Sequence, residues 1–172
     1  GEALPELARR REGGTLRLWA AASGAGQEAY SLAMALDECA PANVKVEVFA
    51  SDLSDRRLEK AQAGIYSQFE VQRGLSARRL VRHFESRDES FVLSPRVRQM
   101  VRWRRVNLME DLSRLGQFDL GLCRNTLGYL LEDARARVLA GLQGVLAPGG
   151  WLVLGDAEAA PGLEAAAHRP GF

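Results

Sequence analysis

The 172-residue chain has two cysteines, two histidines and two lysines, and each scarcity removes a class of function. Cys39 and Cys123 lie far apart in unlike contexts, so neither a disulfide framework nor a metal-ligand cluster can be built from them. His83 and His168 are too few for a Cys/His zinc site or a His-based triad, and no metal site is expected. No apolar run reaches membrane-spanning length and the N-terminus has no signal-peptide pattern. Direct membrane insertion is therefore not expected, and the expected compartment is the cytoplasm. Neither sign of charge is in excess: 23 basic and 22 acidic residues leave a formal charge of +1, so no global field marks the chain for nucleic acid. What is present is a composition 47% hydrophobic and 26% charged, enough for one domain with a real core. The 17 glycines point to loops where backbone must approach something closely.

Along the chain, Leu4 to Arg11 reads as a short basic helix ending at Gly13-Gly14. Leu16 to Ala22 reads as a buried strand, followed by the loop Ser23-Gly24-Ala25-Gly26. Ala29, Leu32, Ala33 and Leu36 then recur at helical spacing until Pro41 and Asn43. Val44 to Ala50 alternates as a strand closed by Ser51-Asp52, and Asp55 to Ala63 reads as a helix stopped by Gly64. This is the opening of a doubly wound α/β fold. After an interruption the rhythm returns. Phe118 to Cys123 is a strand, Glu132 to Leu146 a helix, Pro148-Gly149-Gly150 a turn and Trp151 to Gly155 another strand. The interruption contains a helix over Ser76 to His83 and, over Ser90 to Val106, two strands joined near Ser94-Pro95. It reads as an inserted helix and β-subdomain at about residues 66–105. The tail from Ala157 is Ala-rich and weakly patterned.

A glycine loop between a first strand and its helix leaves backbone N–H groups free beside a helix N-terminus, where a ligand can approach without meeting a Cβ atom. Asp52, at the end of the second strand, is placed to accept hydrogen bonds from a ribose diol. The blander reading makes it the N-cap of the following helix. Loop and Asp52 together favour an adenosine-type ligand without separating NAD from S-adenosylmethionine. Ala29, standing where the third Gly of a dinucleotide fingerprint belongs, leans away from a dinucleotide.

Taken in order, several segments resemble the CheR family of chemotaxis receptor (protein-glutamate) O-methyltransferases. Trp19 to Met34, with Ser23-Gly24-Ala25-Gly26-Gln27-Glu28, resembles the first motif, and Phe49-Ala50-Ser51-Asp52-Leu53-Ser54 the second. Ala61 to Tyr66, Leu75 to Leu80 and Val106-Asn107-Leu108 follow. Phe118 to Tyr129 contains Cys123-Arg124-Asn125-x-x-x-Tyr129, the most specific piece, and Leu146-Ala147-Pro148-Gly149-Gly150 closes the series. The resemblance covers the chain from Leu4 to about Glu158. It implies a Rossmann-like α/β methyltransferase fold with a small inserted β-subdomain. It implies S-adenosylmethionine as cofactor, S-adenosylhomocysteine as product, and glutamate side chains of a chemoreceptor-like protein as acceptors.

Residue by residue, the resemblance places Ser23, Gly24 and Gly26 in the cofactor loop and Glu28 at the methionine ammonium. Asp52 falls at the ribose hydroxyls, Asn107 and Leu108 at the adenine, and the backbone around Cys123 and Arg124 at the sulfonium end. Arg124 and Tyr129 are implied to face the transferring methyl. Read singly, Glu28 is equally a first-turn helix charge, Tyr129 a core aromatic and Arg124 a structural ion pair. The chain also departs from its relatives, which carry Ser-Thr-Gly-Glu-Glu-Pro where Gly24 to Ala29 stand. They carry a bulky apolar residue at Gly128 and Gly-His-Ser-Glu at Gly155 to Glu158. The family's N-terminal helical domain and the sheet's closing strand are expected to be absent. These departures leave a second reading open: a divergent module that binds cofactor or partner without efficient transfer.

The insertion is rich in arginine, with Arg73, Arg78, Arg79 and Arg82 before Arg96, Arg98, Arg102, Arg104 and Arg105. In the family this region docks the receptor, sometimes through a C-terminal peptide tether. The short turn within Ser86 to Ser94 lacks a Gly-x-Gly, so no tether binding is expected. An RNA-contacting patch would make the protein a nucleic-acid methyltransferase, a third reading, but interleaved aromatics are few and no nucleic-acid partner is expected. A solvated, charge-balanced face is the plain alternative. The expected state is a monomer.

Overall fold

In a computed structural model, which describes residues 3–11, 13–39, 43–155 and 158, strands and helices alternate from the start. The order opens α1 (Ala3–Arg10), β1 (Thr15–Ala20), α2 (Gln27–Cys39), β2 (Lys45–Asp52) and α3 (Asp55–Ala63). It continues β3 (Ile65–Ser67), α4 (Gln68–Gln72), α5 (Ala77–His83), β4 (Phe84–Arg87), β5 (Ser90–Leu93) and α6 (Pro95–Arg98). It closes β6 (Val101–Arg105), β7 (Phe118–Cys123), α7 (Glu132–Gly144) and β8 (Leu146–Leu154). The main sheet has five parallel strands in the order β6-β2-β1-β7-β8. The chain runs outward from β1 through β2 to β6, then crosses back to β7. The crevice between the carboxyl ends of β1 and β7 is therefore the switch point, where such sheets bind ligands.

Why these residues form these elements is clearest around α3. Ser54 is the N-cap, its side chain accepting the Arg57 N–H, and Gly64 ends the helix at φ +64° with its N–H on the Ala61 and Lys60 carbonyls. The strands β1 and β2 are held by burial on both faces. One layer packs Leu16, Leu18, Val48 and Ala50 against Ala29, Ala33 and Met34 of α2. The other packs Trp19, Phe118 and Cys123 against Val138, Leu139 and Leu142 of α7. Trp19 is 1% exposed, and its indole N–H is satisfied by Ser51 Oγ at 3.0 Å. A buried indole needs such a partner.

Two expectations require correction. The strands within Ser90 to Val106 do not form one pair: β5 lies in a separate three-stranded antiparallel sheet, β3-β5-β4, while β6 is the edge strand of the main sheet. The one-turn helix α6 lies between them. The small sheet thus spans Ile65 to Leu93, and residues 101–105 belong to the main fold rather than to the insertion. The exposed, arginine-rich face of β6 hides its core role. The helix expected to reach Leu146 ends at Gly144, because Leu146 already pairs with Phe118 in the sheet. Pro41, the residues Asp156 and Ala157, the Ala-rich tail and His168 lie outside the described residues. No helix among the described residues is long and apolar enough to cross a membrane.

The arginines around the insertion are largely engaged. Arg79 and His83 meet Glu38, Arg82 and Arg96 meet Asp37, and Arg105 meets Asp55. The Asp37 and Glu38 pairs fasten α5 and α6 to the C-terminal end of α2, and the Arg105 pair ties β6 to α3. They support the charge-balanced face over a nucleic-acid patch.

Candidate functional site

The loop after β1 turns through left-handed backbone at Ala22 (φ +50°), Gly24 (φ +56°) and Gly26 (φ +94°). Its two glycines serve different ends. A Cβ on Gly26 would lie 2.9 Å from Trp103 Cη2 and 3.0 Å from Ala61 Cβ, so this glycine is where loop, β6 and α3 close on one another. A Cβ on Gly24 would meet nothing within 4 Å, so that glycine opens onto free space. Ser23 is buried, with its N–H and its hydroxyl both donating to the Ser51 carbonyl, at 2.9 and 3.2 Å. The small sheet reaches the same loop: Tyr66 Oη donates to the Ala25 carbonyl at 2.8 Å.

Asp52 is 5% exposed at the end of β2. Its Oδ2 accepts the Gly24 N–H at 2.9 Å and its Oδ1 the Ser54 N–H at 2.9 Å. It is therefore not the cap of α3, a role Ser54 holds. Each carboxylate oxygen accepts one N–H and keeps a second lone pair beside the open Gly24 loop, with Arg57 Nη1 3.9 Å from Oδ2. Val106 N–H donates to the Asp52 carbonyl at 3.2 Å, which sets Asn107 and Leu108 beside the acidic end of β2. Both are half-buried. Asn107 Oδ1 accepts the Met109 N–H at 3.0 Å, fixing the turn.

Glu28 stands in the first turn of α2, and Arg124 Nη1 donates to its Oε1 at 3.3 Å. Burial raises the Glu28 carboxyl above its ordinary range, with Arg124 opposing the rise and Glu158 adding to it. The two plain readings, helix charge and structural ion pair, thus coincide in one pair at the crevice. Cys123 is fully buried, and burial pushes its thiol up to about 12. Only its peptide group is available to a ligand. Tyr129 ends the short turn Leu127–Tyr129 and is 88% exposed, so it is not a core aromatic.

The structure therefore brings Ser23, Gly24, Gly26 and Asp52 together, and joins Glu28 to Arg124 across the crevice. Asn107 and Leu108 flank the β2 side, while Tyr129 stands apart in solvent. Sequence reasoning missed Glu158 as a site residue, although its carboxylate accepts backbone N–H groups from Asn125, Leu127, Gly128 and Gly155. It also missed Tyr66 and Trp103 as walls of the glycine loop. No group of three or more His, Cys, Asp or Glu among the described residues could hold a metal ion.

The fold and this crevice define a class. Among solved structures, the glycopeptide N-methyltransferase MtfA complexed with S-adenosyl-L-methionine superposes with a TM-score of 0.53 at 19% identity, covering 89% of this chain and 52% of that one. The likeness establishes a Rossmann-like methyltransferase fold. Residues 2–169 match the model of the CheR methyltransferase SAM-binding domain, and the chain belongs to that family. It is 40% identical over 162 residues to chemotaxis protein methyltransferase 1 of Pseudomonas aeruginosa, covering 91% of this chain and 59% of that protein. It is 37% identical over 166 residues to chemotaxis protein methyltransferase Cher2 of Pseudomonas putida, covering 93% and 60%. The chain thus spans about three fifths of the length of these curated relatives.

The family's cofactor is S-adenosylmethionine, and the residues present fit it. A buried carboxylate with free lone pairs suits ribose hydroxyls, and the open Gly24 backbone gives the closest approach. Glu28 offers a carboxylate to the ammonium of the cofactor's methionine end.

Proposed function

We propose that this domain transfers a methyl group from S-adenosylmethionine to glutamate side-chain carboxylates of a chemoreceptor-like protein, giving methyl esters. The observation that carries the reading is the two-sided crevice, with Asp52 locked to the Gly24 loop on one side and Arg124 on the other. When bound, the cofactor supplies an electrophilic methyl on a sulfonium. Asp52 accepts from the ribose hydroxyls, Glu28 pairs with the ammonium, and Asn107 and Leu108 border the adenine.

A glutamate acceptor has an unperturbed pKa of about 4.3, so it arrives ionised and needs no general base. Among the described residues the one histidine, His83, lies away on α5, held by Glu38 at 3.2 Å. The work left to the protein is orientation, which supplies much of the rate in such reactions. Arg124 pairs with the incoming carboxylate and Tyr129 hydrogen-bonds it. Too strong a grip would favour the ground state, because the acceptor's charge disappears as the ester forms. A positioning role suits both residues. The two-residue hairpin turn Asp88-Glu89, between the paired Arg87 and Ser90, supports a receptor engaged without a peptide tether.

A second reading is a module that binds cofactor without efficient transfer. It is favoured by the outward Tyr129 and by Gly128, around which a Cβ would meet nothing. Calorimetric titration with S-adenosylmethionine and S-adenosylhomocysteine, alongside base-labile methyl incorporation into a receptor fragment, separates the two. Binding with incorporation is expected. Binding without it would support the module, alkali-stable label in RNA would support a nucleic-acid enzyme, and no binding at millimolar cofactor would overturn the proposal.

A further inference from the structure

The segment that carries Arg124 and Tyr129 is anchored by the fully buried Leu127 and by a few local bonds. Thr126 Oγ1 donates to the Arg124 carbonyl at 3.3 Å, and the Tyr129 and Leu130 N–H groups to the Thr126 and Leu127 carbonyls at 3.2 and 3.1 Å. These leave several of its backbone N–H groups to be satisfied from outside. Thr126 precedes the short turn Leu127–Tyr129 but makes no side-chain cap bond. Asn125 sits in left-handed backbone at φ +55°, a conformation asparagine tolerates better than most residues but does not enforce. A Cβ on Gly128 would meet nothing within 4 Å.

The acceptor for those N–H groups arrives from beyond β8. Glu158 Oε2 accepts the N–H of Asn125 at 2.9 Å and of Gly155 at 2.8 Å. Its Oε1 accepts the N–H of Leu127 at 2.7 Å and of Gly128 at 3.2 Å. The Glu158 N–H in turn donates to the Gly155 carbonyl at 2.8 Å. Four backbone donors converging on one anion form a nest, and such charge-assisted bonds are about twice as strong as neutral ones. The nest leaves no room at its base: a Cβ on Gly155 would lie 2.8 Å from Glu158 Oε2 and 2.9 Å from Asn125 Oδ1.

We propose that Glu158 is a positioning residue for methyl transfer, an anionic clasp that closes the loop after β7 onto the end of β8 and so presents Arg124 and Tyr129 to the acceptor. Burial works against its ionisation, but the four backbone donors outweigh burial and hold the carboxyl below its ordinary range. The clasp is therefore charged at neutral pH. On its far side, Arg135 of α7 donates to the Leu127 and Leu130 carbonyls at 3.1 and 3.4 Å. Cation and anion thus grip opposite poles of the same short turn.

The kinetic part of this inference rests on the proposed function; the clasp itself does not. The test is Glu158→Gln in the 172-residue chain, which keeps the size but turns an NH2 toward backbone donors. Amide hydrogen exchange at Asn125, Leu127, Gly128 and Gly155 is expected to speed up at least tenfold, with Leu120 and Leu122 of β7 unchanged. With a receptor fragment as acceptor, kcat is expected to fall at least tenfold while the calorimetric Kd for S-adenosylmethionine stays within threefold. Unchanged exchange at the four amides, or kcat within twofold of wild type, overturns the proposal. If Glu158→Gln does not fold, Glu158→Asp, one methylene shorter, is read by the same two measurements and the same limits. Should the wild-type chain transfer no methyl group, the proposed function fails, and the exchange arm still decides the clasp.

Discussion

The two sides of the crevice are built on opposite plans. On the β2 side, Asp52 is 5% exposed and both its oxygens already hold backbone N–H groups. On the β7 side, Tyr129 is 88% exposed and Arg124 is lent to Glu28. The first side is shaped before any ligand arrives, as suits a small cofactor whose ribose must meet a fixed carboxylate. The second is left open, as suits an acceptor that is a side chain on another protein. Burial holds the carboxylate itself on one side; on the other it holds Cys123 and Leu127, and the proposed Glu158 clasp orders the exposed turn between them and Tyr129.

The contrast is open to attack where it is strongest. Asp52→Ala removes the fixed acceptor and strands two loop donors, and is expected to weaken S-adenosylmethionine by about 3 kcal/mol, roughly 150-fold in Kd. Arg124→Ala should shift the same calorimetric Kd by less than about fivefold; equal losses would erase the distinction between the sides. Gly26→Ala should cost about 2 kcal/mol in urea denaturation, since its Cβ meets Trp103 and Ala61 and its φ is +94°. Gly24→Ala, which meets nothing, should cost about 1 kcal/mol from backbone strain alone. Tyr129→Phe should leave stability within about 0.5 kcal/mol, while methyl transfer slows by about fivefold, or roughly 1 kcal/mol. A stability loss as large as that of Gly26→Ala would mean that Tyr129 is structural after all.

The smallest effect concerns the fastening of α5 to α2. The Arg79 hydrogen bond, helped by His83 and opposed by burial, lowers the Glu38 carboxyl to about 2. A carboxyl depressed in the folded state adds stability above its unfolded pKa of about 4.3, and that contribution is lost as the pH falls toward 2. The pair is largely exposed, so the acid-induced loss should be less than about 1 kcal/mol. It should vanish in Glu38→Gln, as read from melting temperatures across that window.

Strands on both sides of the crevice were legible in the sequence, β7 with its bounds Phe118 to Cys123. Apolar runs marked β1 and β2, and Gly64 marked the end of α3, because those signals are local. Asp52 was legible because strand ends announce themselves by a polar residue after an apolar run. The strand β6 was placed in the wrong unit, because five residues rich in arginine show nothing of the parallel partner that makes them an edge of the main sheet. Glu158 escaped because its partners are peptide N–H groups, which every residue but proline carries and no letter of the sequence records. The Glu28–Arg124 pairing escaped for a related reason, since 96 positions separate its members.

The order of the strands has one further consequence, in time rather than in space. Pairing of β1 with β2 and α2 joins neighbours in the chain, whereas Arg17 reaches its Asp119 partner across 102 positions. Non-local parallel pairing is slow, and synthesis delivers the N-terminal part first. On the ribosome, β1, α2 and β2, with the Gly24 loop and Asp52, emerge and can condense before Arg124 and Tyr129 do. The two sides of the crevice differ in age at birth as well as in exposure.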